Sequence, residues 1–313
     1  MNAALDYLLK TVIDYAGLFP PADLNLAEAI NTFSADLKGT YRAWLRHFIL
    51  PAARITEFDS LREKHGRDSQ WTLSLIMGGG ESLHDWQTSL EDVLEPFATR
   101  DVKHTDRVRV LEIALPLGIA ADAPSFTQAI ESLERQLAAT PLIDCTLFFE
   151  TSSADHRRIL AEVLAARKSQ KWKLGLKLRT GGLTRDHFPS FEQLADFIRL
   201  CHSLDIPWKA TAGLHHPLPI GCKQTDAKMH GFLNLLFAVI LLEGNSLAGD
   251  QVENLLTDQN PDHFVFRETG IEWMGITASD EQVQLGRERF LSFGSCSFAE
   301  PLEDLAALGL LRD

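Results

Sequence analysis

The chain of 313 residues is poor in positive charge, in cysteine and in long apolar runs. Its 30 lysine and arginine residues stand against 43 aspartate and glutamate residues, which gives a formal net charge of −13. Binders of nucleic acid and of anionic membranes need a basic surface, so this balance predicts neither partner. The four cysteines include no Cys-x-x-Cys pair. That spacing argues against a zinc ribbon or a disulfide framework and predicts reduced thiols in a cytoplasmic protein.

The chain also lacks an apolar stretch long enough to span a bilayer. The longest run, residues 231–242, is too short and is interrupted by Asn234. Residues 1–10 show no basic region followed by an apolar run, so no secretory signal is expected. Hydrophobic residues make up 45% and charged residues 23%, which is the balance of a globular chain rather than a disordered one.

Short apolar runs alternate with longer amphipathic stretches along most of the chain. The predicted strands are residues 12–16, 44–50, 71–77, 108–114, 145–150, 174–179 and 208–212. The predicted helices are residues 26–37, 55–64, 83–97, 125–138, 155–167, 190–201 and 230–242. Strands that alternate with helices in this way indicate βα units around a parallel sheet.

A closed barrel and a doubly wound open sheet both fit that alternation. No Gly-x-Gly-x-x-Gly motif follows the first strand, which argues against the dinucleotide-binding form of the open sheet. Polar residues cluster at the carboxyl ends of many strands rather than at one crevice, and eight units fit the chain length. The sequence therefore predicts a single-domain (β/α)8 TIM barrel over residues 1–313.

The eighth strand is harder to place than the first seven. We expect it at residues 290–293, with residues 294–297 as the loop after it and helices at 280–289 and 300–311 on either side. Residues 247–279 then form an insertion, with a helix near 247–256 and a β-hairpin made by 264–267 and 271–274. The alternative puts the eighth strand inside that hairpin.

Charged side chains are predicted to converge at one end of the barrel. Functional groups of TIM barrels lie at the carboxyl ends of the strands, and side chains alternate inward and outward along each strand. The inward groups expected there are Glu112, Glu150, Lys177, Arg179, Lys209 and Thr211. They form either a structural salt-bridge network or a reactive pocket. In a pocket, two neighbouring lysines would lower each other's pKa, and a neutral amine can form a Schiff base with a carbonyl.

The lysine strands resemble those of class I aldolases of the deoxyribose-phosphate aldolase type. Lys177 to Gly181 reads KLRTG and is similar to that family's K-x-x-T-G strand; Lys209 to Leu214 reads KATAGL and resembles its K-A-x-G-G-I strand. Gly294-Ser295 resembles its phosphate-holding loop. The resemblance implies that Lys177 forms the Schiff base and that Lys209 lowers its pKa. Longer strings also resemble a group of uncharacterised bacterial TIM-barrel proteins, which brings no function with it.

The departures from the aldolase pattern suggest a different substrate. Arg179 stands where that family has a small residue, which favours a carboxylated substrate, and His215-His216 replace its polar turn. We therefore predict an enzyme acting on a small anionic carbonyl metabolite, with Glu112 and Glu150 as acid and base. The predicted substrate-binding residues are Asp14, Arg179, Thr180, Gly181, Gly182, Thr211, His215, His216, His230, Asn234, Gly294 and Ser295.

Two other functions stay open at this point. His215, His216 and His230, with a nearby carboxylate, could bind a divalent metal in a lyase, isomerase or hydrolase, although their spacing matches no standard ligand string. No cofactor and no metal is favoured by the sequence, and a divalent metal is the one that these histidines would allow. A barrel that binds a metabolite or a protein without catalysis would instead have its inward lysines fully paired to carboxylates, and no open pocket would remain. Assembly into a homo-oligomer is left open. Cys296 has no base near it in the sequence and is predicted to be a packed residue.

Overall fold

The computed structural model describes residues 3–62, 71–98, 107–142, 144–167, 172–222 and 225–311. Its strands are β1 (Ile13–Tyr15), β2 (Leu45–Pro51), β3 (Thr72–Gly78), β4 (Val108–Ala114), β5 (Thr146–Glu150), β6 (Lys173–Arg179), β7 (Trp208–Thr211), β8 (Ile220–Cys222), β9 (Ala227–Met229), β10 (Phe264–Arg267), β11 (Gly270–Trp273), β12 (Ile276–Ala278) and β13 (Phe290–Ser295). Eight of them form a closed barrel in the order β1-β13-β7-β6-β5-β4-β3-β2. The predicted (β/α)8 TIM barrel is confirmed.

The helices follow the barrel strands as the amphipathic pattern predicts. They are α1 (Ala3–Leu9), α2 (Leu26–Asp36), α3 (Ile55–Arg62), α4 (Leu83–Ala98), α5 (Leu117–Ala120), α6 (Ala123–Ala138), α7 (Arg157–Ala166), α8 (Phe191–Ser203), α9 (Phe232–Glu243), α10 (Val252–Thr257), α11 (Asp280–Arg289) and α12 (Ala299–Ala307). Side-chain caps fix several of their starts. Asp122 accepts from the backbone of Ser125 at α6, and Ser190 and Ser279 begin α8 and α11 with capping boxes.

The eighth barrel strand is β13, as predicted, but it is longer than the sequence indicated. It pairs in parallel with β1, where Asp14 lies opposite Gly294 and Tyr15 lies opposite Ser295. Gly294 and Ser295 therefore belong to the strand, and their placement in a terminal loop is wrong. The alternative position in the hairpin is also wrong, because β10, β11 and β12 form an antiparallel sheet of their own.

Several short elements were not predicted from the sequence. The insertion sheet has a third strand, β12, and a small hairpin of β8 and β9 follows β7. The helix expected from residue 230 begins at Phe232, because Gly231 has extended backbone and takes the N-cap position. His230 therefore lies before the helix and not on it.

Contacts divide the chain into two compact units, and the prediction of a single domain with an insertion stays a prediction. The first unit comprises Met1–Asp23, Ala35–Arg46 and Arg179–Asp313, and includes β1, β7, β13 and the insertion. Its core is built around α9, in which every residue from Phe232 to Leu242 is buried. Phe232 stacks on Phe293 of β13 with ring centroids 5.3 Å apart.

The second unit comprises Leu24–Ser34 and His47–Leu178. Its core includes a cluster of aromatic rings from α2, α3, β2 and the start of β3. Phe33, Phe48, Phe58 and Trp71 are all buried, with ring centroids 5.0–5.9 Å apart in their closest pairs. Strands β2 and β3 pair in parallel beside this cluster, with Phe48 opposite Leu73. Across the described ranges of the chain, no helix is both long and apolar enough to cross a membrane.

Candidate active site

Lys177 of β6 lies between two carboxylates in the second unit. Its Nζ is 2.8 Å from Oε2 of Glu112 on β4 and 2.8 Å from Oε2 of Glu150 on β5. Ser74 on β3 donates from its Oγ to Oε1 of Glu112 at 2.6 Å. The parallel registers place Glu112 opposite Phe148, and Phe148 opposite Gly175, so the alternation of side chains sends these polar groups to one face. The predicted convergence of Lys177, Glu112 and Glu150 is therefore present.

The pKa of Lys177 does not move in the direction that the sequence predicted. Burial of the ammonium group is the largest single effect and lowers the pKa, but attraction to Glu112 and Glu150, with a hydrogen bond to each, outweighs it. The pKa of Lys177 is consequently raised well above its ordinary value. The predicted lowering is wrong for this residue, because two carboxylates lie in direct contact with its amine.

Access to this cluster differs among its three members. The side chains of Glu112 and Lys177 are 0% and 5% exposed, whereas that of Glu150 is 15% exposed. Arg157 at the start of α7 is close enough for the charge of Glu150 to raise its pKa, although burial has the larger effect and lowers it overall. Glu150 is thus the most exposed member of the cluster.

Lys209 of β7 forms a separate ion pair in the first unit. Its Nζ donates to Oδ2 of Asp14 on β1 at 2.7 Å, and Ser292 on β13 donates its hydroxyl to the same oxygen at 2.6 Å. Both charged side chains are 0% exposed. The sequence predicted Asp14 and Lys209 as site residues but not as partners, because 195 residues separate them.

The loops after β6 and β7 are joined through their backbones. The amide of Thr180 donates to the carbonyl of Thr211 at 2.9 Å, and the Thr180 hydroxyl donates to the carbonyl of Ala212 at 2.5 Å. Gly181 and Gly213 approach so closely that a Cβ on Gly181 would lie 2.5 Å from the Gly213 Cα. Of the predicted site residues, Thr180 therefore has its hydroxyl bound to a backbone carbonyl, and Thr211 takes part through its own backbone carbonyl.

The two residues beside this contact are more open. Arg179 is exposed at the end of β6, and Gly182 lies against the ring of His187. Neither position contradicts the predicted role in substrate binding, and neither tests it. Ser295, predicted for the same role, donates its hydroxyl to the carbonyl of Ser297 at 2.6 Å.

His215 and His216 each bind a carboxylate of α12. Nδ1 of His215 lies 3.0 Å from Oε2 of Glu300, and Nδ1 of His216 lies 2.5 Å from Oδ2 of Asp304. Glu300 and Asp304 are four residues apart, so they share one face of the helix. The two histidines therefore fasten the loop after β7 to α12.

His215 also contacts a thiol. Sγ of Cys296 lies 3.8 Å from Nδ1 and 4.0 Å from Nε2 of the imidazole. Burial lowers the pKa of His215, but the interactions with Cys296 and Glu300 outweigh it and raise the pKa to about 9. The base beside Cys296 could not be predicted from the sequence, because the two residues lie in different loops 81 positions apart.

His230 and Asn234 are buried anchors of the first unit. Nε2 of His230 lies 2.9 Å from the carbonyl of Pro189, and burial lowers the pKa of His230 to about 4. The side-chain amide of Asn234 donates to the carbonyls of Leu255 and Asp258 at 2.8 and 2.7 Å. In the parts of the chain that the structure describes, no group of three or more His, Cys, Asp or Glu side chains is placed to hold a metal ion.

A cavity of about 340 Å³ opens in the second unit, next to Trp172 just before β6 and Glu131, Glu134, Arg135 and Ala138 of α6. It adjoins the amino end of β6, whereas Lys177 is near the carboxyl end of that strand. Comparison of the chain with protein-family models and with curated proteins finds no match in either set. The resemblance to deoxyribose-phosphate aldolases therefore stays a prediction.

Proposed function

We propose that the protein is an enzyme, a lyase that acts on a small anionic carbonyl metabolite through Lys177. The observation that carries the proposal is the contact of one buried amine with two carboxylates at the strand ends of a TIM barrel. The active sites of TIM-barrel enzymes lie at the carboxyl ends of the strands. The anionic part of the proposal rests on Arg179, an exposed guanidinium two residues after Lys177.

The covalent step begins with the proton of Lys177. The ammonium group gives a proton to Glu150, whose Oε2 is 2.8 Å away, and the freed electron pair attacks the carbonyl carbon of the substrate. Water leaves with the proton that Glu150 returns, and an iminium ion remains on Lys177. A C–C bond of the carbon next to the former carbonyl carbon then breaks. Its electron pair forms the C=C bond of an enamine, the C=N electron pair moves to nitrogen, and the departing fragment leaves as a second carbonyl compound after Glu150 takes its hydroxyl proton. Glu150 returns that proton to the enamine carbon, and water hydrolyses the iminium to release the product and restore Lys177.

The raised pKa of Lys177 sets the cost of this step. Each pKa unit above the working pH costs about 1.4 kcal/mol in the population of neutral amine. The carboxylates that cause the raised pKa are also the acceptors of the proton, so no rearrangement is needed before transfer. Glu112, held by Ser74, would keep its charge and stabilise the iminium that replaces the ammonium.

Borohydride reduction tests the covalent step. The protein is incubated with short aldehydes and α-keto acids, reduced, and digested for mass spectrometry. The proposal expects a stable adduct on Lys177 and none on the Lys177→Met variant. Lys173→Met is the matched control, because Lys173 is exposed at the start of the same strand, and it should leave trapping unchanged. An adduct that persists on Lys177→Met, or none with any carbonyl, would overturn the Schiff base.

A second candidate function is a barrel that binds a metabolite without reacting with it. The pairing of Lys177 with two carboxylates, and of Lys209 with Asp14, is the arrangement expected for that function. A shift in melting temperature with a carbonyl metabolite, without trapping or turnover, and retained in Lys177→Met, would favour it.

A further inference from the structure

Cys296, His215 and Glu300 form a cluster in the first unit that the Lys177 chemistry does not use. Cys296 follows the last residue of β13, His215 lies in the loop after β7, and Glu300 is in the first turn of α12. Three separate elements thus bring together a sulfur nucleophile, a base and a carboxylate. Such a set, with the base oriented by a third group, is the arrangement that activates cysteine in other proteins.

The carboxylate of Glu300 and the sulfur of Cys296 both contact the imidazole ring of His215. Glu300 binds Nδ1 of His215 at 3.0 Å, which stabilises a proton on the imidazole ring. The sulfur of Cys296 lies 3.8–4.0 Å from the two ring nitrogens, within reach of an ionic contact with an imidazolium. The raised pKa of His215, about 9, is consistent with an imidazolium at neutral pH.

Access to the cluster suits a small reagent. Cys296 is 8% and His215 is 7% exposed, so a bulky molecule cannot reach the sulfur directly. The Glu300 side chain is 42% exposed and forms the open side of the cluster. A reagent of a few atoms is the class that this geometry admits.

We propose that Cys296 is a redox-sensitive thiol, oxidised by peroxides to sulfenic acid with His215 as its proton partner. The thiol proton goes to solvent, which leaves a thiolate beside the His215 imidazolium, and the sulfur attacks one peroxide oxygen. An S–O bond forms and the O–O bond breaks, so that sulfur is oxidised and the peroxide is reduced. The hydroxide that leaves takes the proton from the His215 imidazolium and departs as water. This site is independent of the function proposed for Lys177.

The other cysteines provide controls within the same molecule. Cys145 and Cys201 are buried, and burial raises the pKa of Cys145 to about 12 and that of Cys201 well above its ordinary value. Cys222 is more exposed than Cys296. Exposure alone therefore predicts that Cys222 reacts first, whereas activation by His215 predicts that Cys296 does.

The experiment treats the whole protein with hydrogen peroxide at pH 7 for a series of times, removes the peroxide with catalase, unfolds the protein in urea that contains dimedone, and quantifies the adduct on each cysteine by mass spectrometry. We expect the adduct on Cys296 to form about tenfold faster than on Cys222, because only a small fraction of an ordinary thiol is ionised at this pH. His215→Asn and, separately, Glu300→Gln should bring Cys296 down towards the rate of Cys222.

Two results would overturn the proposal. One is faster labelling of Cys222 than of Cys296 in the unaltered protein, which needs no variant. The other is an unchanged Cys296 rate in His215→Asn while Cys145 and Cys201 stay unlabelled, since their protection shows that the variant is folded. If the His215→Asn variant exposes the two buried thiols, the Cys296 rate is compared in Glu300→Gln instead. The same fall towards the rate of Cys222 is expected there, and an unchanged rate would overturn the proposal.

Discussion

The buried pair of Lys209 and Asp14 shows how strongly the stability of this protein can depend on one residue. Both side chains are fully buried and bound to each other, with Ser292 as a second donor to the carboxylate. A buried ion pair adds little compared with an apolar pair of similar size, but removal of one partner leaves a charge in a place without water. The pair is therefore sensitive to single substitutions rather than strongly stabilising.

We expect Lys209→Met to lower the free energy of unfolding by about 3–5 kcal/mol, because the buried Asp14 carboxyl group would lose its ammonium partner. The double variant Asp14→Asn with Lys209→Met should lose less than the sum of the single losses. Urea unfolding of the four proteins measures this coupling, and Lys173→Met, an exposed lysine, should change stability by less than about 0.5 kcal/mol. Strict additivity of the two single losses would show that the pair does not act as a unit.

We expect His215 to make the free energy of unfolding fall as the pH becomes alkaline. Its pKa of about 9 in the folded protein lies above the value of about 6.5 expected in the unfolded chain. The folded state then binds the proton more tightly, so the stabilisation is complete below pH 6.5 and is lost as the pH rises through 9. The groups that face the ring, Glu300, Cys296 and Ser295, lie on α12 and at the end of β13.

Urea unfolding between pH 6.5 and 9.5 measures this loss. The decline should be smaller in His215→Asn than in the unaltered protein, whereas His216→Asn, which removes the neighbouring imidazole bound to Asp304, should retain it. An identical decline in His215→Asn would assign the pH dependence to other groups.

At the scale of elements, two glycines of the insertion sheet distinguish a constraint on backbone conformation from a constraint on space. Gly270 and Gly275 both have positive φ, of 132° and 84°. A Cβ on Gly270 would collide with the carbonyl of Ala278, whereas one on Gly275 would meet nothing within 4 Å. Gly275→Ala should therefore cost only the conformational penalty of about 1 kcal/mol, and Gly270→Ala clearly more. Comparison of their urea midpoints tests this, and equal losses would contradict it.

The sequence predicts the barrel strands well because each is a short apolar run between amphipathic helices. The bounds of β4 match the prediction at both ends, and those of β6 differ by one residue. The three-residue strands β8, β9 and β12 were missed, since so short a segment shows no measurable alternation. Their pairing depends on hairpin partners, which a single run of sequence does not reveal.

The candidate site was predictable only in part, for a similar reason. Alternation along β4, β5 and β6 was enough to bring Glu112, Glu150 and Lys177 to one face. The sign of the Lys177 pKa was not predictable, because it depends on which charge lies nearest, and two carboxylates at 2.8 Å decide it. Glu300 was missed because it lies in a helix that the sequence marks only as amphipathic and acidic.

At the scale of the whole molecule, the excess of acidic residues governs non-specific binding. With a formal net charge of −13, the protein should pass through a heparin column at about 0.15 M salt and bind to an anion exchanger under the same conditions. Elution profiles on the two resins measure this. Retention on heparin would reveal a basic patch that the overall charge conceals.

The pairing of β1 with β13 joins two segments that the ribosome synthesises far apart in time. The second unit ends at Leu178, so all of its strands have been synthesised while more than a third of the chain is still untranslated. The ion pair of Asp14 with Lys209 and its hydrogen bond from Ser292 cannot form until those residues have been synthesised. The same holds for the pairing of β1 with the strand that ends at residue 295. The pairing of β1 therefore forms only after residues 195 to 278 positions further along have been synthesised, so during translation it is among the last contacts of the first unit to form.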